Sequence, residues 1–332
     1  MKYFLVGYYG YGNSGDQACL VRVQQVILAN DSHAVFKILY PTKESNFQTV
    51  DRWSVVAIFK ALCWADKVVF GGGSLLQNRS STASLLYYLS LIGGSFLCCT
   101  PVIMLGQGFG PVTGRFARSL VRLLLMCVKS ISVRDQVSYN RLVDLCKKPL
   151  FLSSDLVFYQ AKKPLLSADD TVKIGIAFRP TLLKDSTELS LFNVLQSYSN
   201  KLHYFAFSAQ EDLRLYHHYG IYGSQIHLVH DFFKFFENDD LLVMVAMRYH
   251  ACAWAAFRGI PFLALAYDDK VTQFAQIMGQ ECVVMDDNEL DVTSVIQLLD
   301  RVVDQRSFYQ EQLVIGFEKQ MELACLHDKA LG

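Results

Sequence analysis

Tyr3-Phe-Leu-Val-Gly-Tyr-Tyr-Gly10-Tyr-Gly12-Asn-Ser-Gly15-Asp16 is a short apolar run, a glycine-rich turn and the start of a helical stretch reaching about Ala29. Strand, tight turn and helix in that order open a doubly wound α/β sheet. The glycines have the spacing of a dinucleotide fingerprint, but their physical content is more general. They bend the chain so that backbone N–H groups and a helix amino terminus face an anion or a polar ligand. The fingerprint also wants a carboxylate at the end of the second strand, and Pro41-Thr-Lys-Glu44 places one poorly. A turn that merely packs helix on strand is the plainer reading of the same glycines. Asp16 adds a group that can hold a sugar hydroxyl or take its proton.

The same theme recurs along the chain. Lys67-Val-Val-Phe70 runs into Gly71-Gly72-Gly73-Ser74, Val102-Ile-Met-Leu105 into Gly106, and Ser130-Ile-Ser-Val133 into Arg134. From Ala161 to Asp170 the chain has the Pro, Ser and charge content of a linker. The alternation then restarts, with apolar runs ending at Arg179, Ser208, Arg248 and Tyr267. From about Thr293 to Leu331 the spacing is helical, with a break expected near Gly316. The expectation is an α/β protein of two Rossmann-like doubly wound domains facing a cleft. The cut falls at 1–165 and 166–332, the second domain carrying the closing helices, and 332 residues suit two cores.

The 31 Lys and Arg balance the 31 Asp and Glu, so no basic footprint calls for nucleic acid. Hydrophobic residues make up 52% and charged ones 19%, which raises the question of a membrane. Its sharpest form is the charge-free interval from Ser80 to Gly114. Gly93-Gly94 and Thr100-Pro101 punctuate that run, so a helix followed by a buried strand at Val102 is expected rather than insertion. Nine cysteines without a Cys-x-x-Cys pair suit a reducing, cytoplasmic setting. The oligomeric state is left open.

Ligands of such sheets bind beyond the carboxyl ends of the strands. Gly71-Gly72-Gly73-Ser74 offers backbone amides and a hydroxyl there, but no P-loop lysine follows. Arg134, Arg179, Arg248, His250 and Lys270 each follow an expected strand. Gathered at strand ends of both domains, they would make one positive cleft in a neutral protein, and a small polyanion is the natural guest. His250, expected in the first turn of a helix from about Tyr249 to Phe257, can move a proton near neutral pH. No pair of histidines has metal-site spacing, and no metal or cofactor is expected.

With those residues in view, the chain resembles the polysaccharide pyruvyl transferase family. The likeness rests on Gly10-Tyr-Gly-Asn-Ser-Gly-Asp16, Val68-Val-Phe-Gly-Gly-Gly73, Ser132-Val-Arg-Asp135 with Ser138, Met247-Arg-Tyr-His250, and Tyr267-Asp-Asp-Lys270 with Phe274. It departs from the usual pattern at Asp269, where proline is common, and at Gln17, where an acidic residue is frequent. The resemblance implies a fold similar to B-type glycosyltransferases. It also implies transfer of the pyruvyl group of phosphoenolpyruvate, as co-substrate, onto a sugar of a cell-surface polysaccharide or lipid-linked glycan as a ketal. Arg134, His250 and Lys270 would bind phosphoenolpyruvate, with Arg179 and Arg248 added from their positions. His250 and Asp16 would be catalytic. Gly12, Asn13, Gly15, Asp16, Gly72, Gly73 and Ser74 would face the acceptor. A lipid-linked acceptor would bring the protein to the inner face of a membrane as a peripheral guest. A nucleotide-sugar glycosyltransferase, an NAD-dependent oxidoreductase and a membrane-anchored binding protein are the competing readings.

Overall fold

The computed structural model describes residues 1–41, 48–79, 81–164, 166, 173–179, 185–198, 202–208, 211–212, 225–234, 241–285 and 289–332. Residues 165 and 167–170 of the expected linker lie outside them. The chain divides into two compact units: residues 1–11, 16–161 and 320–332 in the first, 12–15 and 162–319 in the second.

The first unit is built on seven parallel strands, β1 (Lys2–Val6), β2 (Val35–Tyr40), β3 (Thr49–Asp51), β4 (Lys67–Gly71), β5 (Val102–Gln107), β6 (Val128–Val133) and β7 (Leu150–Leu152). They lie in the order β3-β2-β1-β4-β5-β6-β7. Every residue of β5 is buried, as a strand covered on both faces requires. Helices α1 (Ser14–Asn30), α2 (Val55–Trp64), α3 (Thr82–Leu97), α4 (Arg115–Leu125) and α5 (Gln136–Val143) connect the strands. Ser54 and Ser81 cap α2 and α3, their side chains accepting the N–H groups of Ala57 and Ser84. The charge-free interval is thus helix α3 followed by buried strand β5, as its punctuation predicts. Among the described residues no helix is long and apolar enough to cross a membrane. Gly93 and Gly94 do not end α3; a Cβ at Gly94 would meet Leu62 of α2 at 2.9 Å, so that glycine lets the two helices close up.

The second unit repeats the winding with six parallel strands, β8 (Ile174–Ala177), β9 (Leu202–Ala206), β10 (Gln225–Leu228), β11 (Val243–Ala246), β12 (Phe262–Ala266) and β13 (Glu281–Val284), in the order β10-β9-β8-β11-β12-β13. Helices α6 (Asp185–Tyr198), α7 (Tyr249–Phe257), α8 (Asp269–Ile277), α9 (Val292–Asp304) and α10 (Arg306–Ala324) accompany it. Strand order reverses between β1 and β4 in one sheet and between β8 and β11 in the other. The residues after those strands are where such sheets bind ligands.

Two expectations need correction. The break near Gly316 does not occur: Gly316 is inside α10, where a side chain would run into the backbone of Ile277 and Met278. Nor do the closing helices all stay with the second unit. The last one, α11 (Leu326–Leu331), packs on β5, β6 and β7. Lys67 Nζ donates to the Leu331 carbonyl at 3.0 Å, Ser130 Oγ donates to that of Ala330, and His327 is fully buried with Nδ1 2.8 Å from Ser132 Oγ. The first two of these hydrogen bonds satisfy the last carbonyls of α11 on the first sheet.

His327 makes that docking pH-dependent. Burial is the main cause that lowers its pKa from the ordinary 6.5 to about 4. The unfolded chain therefore binds more protons than the folded one between those values, so stability is complete above about pH 6.5 and falls as pH drops toward 4. At about 1.4 kcal/mol per pH unit the loss is about 3 kcal/mol. Thermal melts at pH 7 and pH 4.5 should show it in the native chain and much less of it in His327→Gln. Equal losses in both would refute the assignment.

Candidate active site

In the first unit the turns after β1, β4, β5 and β6 converge at the carboxyl edge of the sheet. Gly72 and Gly73 adopt φ of 71° and 74°, where a Cβ is strained, and a Cβ on Gly73 would lie 3.7 Å from Asp16 Oδ1. Asp16, in the first turn of α1, thus overlies the second glycine turn. Gln107 braces that turn: its buried Nε2 donates to the carbonyls of Phe70 (3.2 Å) and Gly72 (3.0 Å). Its Oε1 has no hydrogen-bond partner among the described residues.

Arg134 follows β6, but it is not an open cation. Its side chain is 4% exposed and its Nη1 is 3.2 Å from Asp155 Oδ2, a carboxylate that is itself fully buried. Nε reaches Asp135 Oδ2 at 3.4 Å, and Nη2 donates to Ser74 Oγ at 3.0 Å. A Cβ on Gly108 would lie 2.8 Å from Nη2, so glycine there gives the guanidinium its room. Asp155 is fixed in turn by the N–H of Val157 and by Cys19 Sγ at 3.6 Å. Burial, then the Asp155 charge, pushes the Cys19 thiol well above its usual range, so it stays protonated.

Beside these turns lies a cluster that the sequence reading did not single out. Arg52, 3% exposed after β3, donates through Nη2 to the Gly7 carbonyl and is 3.3 Å from Tyr88 Oη. The rings of Tyr8, Tyr11 and Tyr87 have centroids 5.9, 5.1 and 5.6 Å from its Cζ. Tyr8 and Tyr11 stack at 4.3 Å, and Trp53 stands 71% exposed with its ring 6.2 Å from Tyr87. Nη1 of Arg52 has no hydrogen-bond partner among the described residues. The aromatic pairs Tyr8-Tyr9 and Tyr87-Tyr88 are the only trace of this cluster in the sequence.

The second unit gathers Gly12, Asn13, Gly15, Arg179, Arg248, His250 and Lys270. Residues 12–15 are tied to the end of β9: the Ser14 N–H donates to the Phe207 carbonyl at 3.0 Å, and Asn13 bridges Ser208. Asn13 Oδ1 accepts the Gly15 N–H at 3.1 Å. Gly15 abuts His250, and any side chain at 15 would run into the imidazole. His250 lies in the first turn of α7, which begins at the N-cap Arg248. Edge-to-face contacts with Tyr249 (5.2 Å, 86°) and Phe232 (6.4 Å, 84°) fix its ring plane.

Arg248 bonds Asp212 Oδ1 at 2.5 Å and Glu211 Oε2 at 2.7 Å. Asp212 Oδ2 accepts the N–H groups of Phe207 (2.8 Å) and Ser208 (2.9 Å), joining the turn after β9 to the start of α7. Burial raises the Asp212 pKa against the pull of Arg248, whereas at Glu211 burial is outweighed by the hydrogen bond and charge of Arg248, which lower it. Arg179 and Lys270 meet over one ring. Arg179 Nη1 donates to Tyr267 Oη at 3.1 Å, and Lys270 Nζ lies 5.9 Å from the Tyr267 centroid and 3.4 Å from Asp268 Oδ2.

Three of the five expected cations are paired: Arg134 and Arg248 each hold a buried carboxylate, because buried guanidinium groups are tolerated only when paired, and the part-exposed Lys270 lies beside Asp268. Arg134 also belongs to a different unit from His250 and Lys270.

The family profile described as polysaccharide pyruvyl transferase matches residues 13–269. No curated protein matches the chain. Among solved structures, UDP-GlcNAc 2-epimerase from Neisseria meningitidis, bound to UDP-GlcNAc, is 10% identical with a TM-score of 0.60 and covers 100% of this chain and 99% of its own. The S. aureus MnaA–UDP structure is 10% identical with a TM-score of 0.61, covering 95% of this chain and 91% of its own. The spinosyn rhamnosyltransferase SpnG, complexed with thymidine diphosphate, is 11% identical with a TM-score of 0.58, both chains covered in full. At such identities the likeness is one of fold: two parallel-sheet α/β domains of the B-type glycosyltransferase kind.

Proposed function

The chain belongs to the polysaccharide pyruvyl transferase family, and from that premise we propose that it transfers the pyruvyl group of phosphoenolpyruvate to a sugar of a polysaccharide or lipid-linked glycan, forming a cyclic ketal and releasing phosphate. The observation that carries the reading is His250: one imidazole in the first turn of a helix, its plane fixed by two rings and its back against a glycine. Such a group is built to deliver a proton in one direction.

His250, as imidazolium, would protonate the methylene carbon, leaving C2 electrophilic. A sugar hydroxyl adds to C2, its proton passing to Asp16. A neighbouring hydroxyl then displaces phosphate from C2 and closes the ketal, its proton returning to His250 while the one on Asp16 leaves with the phosphate, so the C–O rather than the P–O bond breaks. Lys270 and Arg179, flanking Tyr267, are the second unit's anion-binding pair for the phosphate and carboxylate. Arg248 aligns the start of α7 through Asp212, and Arg134, anchored on Asp155, holds the first unit's Ser74 turn through Nη2. Gly12, Asn13 and Gly15, with Asp16, would receive the acceptor's hydroxyls. The rings of Tyr8, Tyr11 and Trp53 offer flat apolar faces to a pyranose.

Thermal-shift titration separates this reading from its rivals. Phosphoenolpyruvate should raise Tm, by an amount that grows with ligand concentration. Stabilisation by UDP- or GDP-sugars or by NAD, with none by phosphoenolpyruvate, would overturn it.

A further inference from the structure

Helices α2, α3 and α4 lie side by side on one face of the first sheet. Their inner residues, among them Leu62, Leu89 and Val121, share one core with Phe4, Phe70 and Met104 of the strands. Their opposite faces therefore form one outer surface, and that surface is apolar. Val55 and Val56 of α2 are 79% and 65% exposed, Leu97 of α3 is 77%, and Phe116, Leu123 and Met126, on α4 and its C-cap, are 78%, 59% and 64%. Single exposed apolar residues are ordinary; so many on three adjacent helices are a patch.

The charge carried by the three helices themselves has one sign. No acidic residue occurs in α2, α3 or α4, nor anywhere between Asp66 and Asp135. Lys60 of α2 and Arg115, Arg118 and Arg122 of α4 are exposed among the apolar residues. Trp53, a residue suited to the headgroup level, stands just before α2.

We propose that this three-helix face docks the first unit on an anionic lipid surface, its apolar side chains entering the headgroup boundary and its arginines pairing with lipid phosphates. Charge complementarity selects this occupant. A second copy of the same face would set arginines against arginines in a two-fold contact. The proposal stands on exposure and charge alone, independently of the reaction assigned above.

Sedimentation of the full chain with phosphatidylcholine vesicles containing phosphatidylglycerol, and with pure phosphatidylcholine, tests it. Binding should require the anionic lipid and weaken at high salt. Arg115→Gln with Arg122→Gln should weaken it about 25-fold, at about fivefold per cation. Phe116→Ser with Leu123→Ser should abolish it with little change in Tm. Phe308→Ser with Ile315→Ser, exposed apolar positions on α10, should leave it intact. Absence of binding to anionic vesicles, equal binding to neutral ones, insensitivity to the α4 substitutions, or a dimer that those substitutions dissolve would each overturn the proposal.

Discussion

His250→Gln should lower turnover of phosphoenolpyruvate by about 10²- to 10⁴-fold while leaving the melting temperature nearly unchanged. Glutamine keeps the size and hydrogen-bonding capacity of the ring but has no proton to give. Near-native turnover in the variant would remove His250 as the acid.

The second large effect is on stability. Arg134→Ala takes the guanidinium from Asp155, a fully buried carboxylate, and should cost about 3–5 kcal/mol. In a unit of this size the melting temperature should fall by on the order of 10 °C. Arg134→Lys should recover little, because a single ammonium cannot reach Asp155, Asp135 and Ser74 together as the guanidinium does. Arg134→Met combined with Asp155→Asn removes both charges and should restore most of the loss. A single variant that melts normally yet no longer binds phosphoenolpyruvate would instead make Arg134 a direct ligand of the substrate.

These two residues also show how far the sequence could be read. Strand ends were legible because β-period apolar runs stop at glycine or charge, which put Asp16, Gly72, Gly73, Arg134, Arg248, His250 and Lys270 at carboxyl edges. The partners of the cations were not. Asp155 and Asp212 lie 21 and 36 residues from Arg134 and Arg248, and no local period records such a pairing. Glycine weakens a helix, so Gly94 and Gly316 look like breaks in the sequence, but close packing at both positions outweighs that penalty. The spacing from Thr293 onward announced helices without saying which sheet would receive them. The outward face of α2–α4 was hidden in the same way: hydropathy registers apolar residues, and only the fold tells which of them meet water.

The central claim is tested most directly by supplying the chain with phosphoenolpyruvate carrying ¹³C at C2, together with polysaccharide and lipid-linked glycan acceptors. The account predicts that the label moves into a quaternary ketal carbon on the glycan, with one phosphate released per pyruvyl transferred, and that His250→Gln suppresses both. Label that remains in phosphoenolpyruvate, with no phosphate released on any of the acceptors, would contradict it.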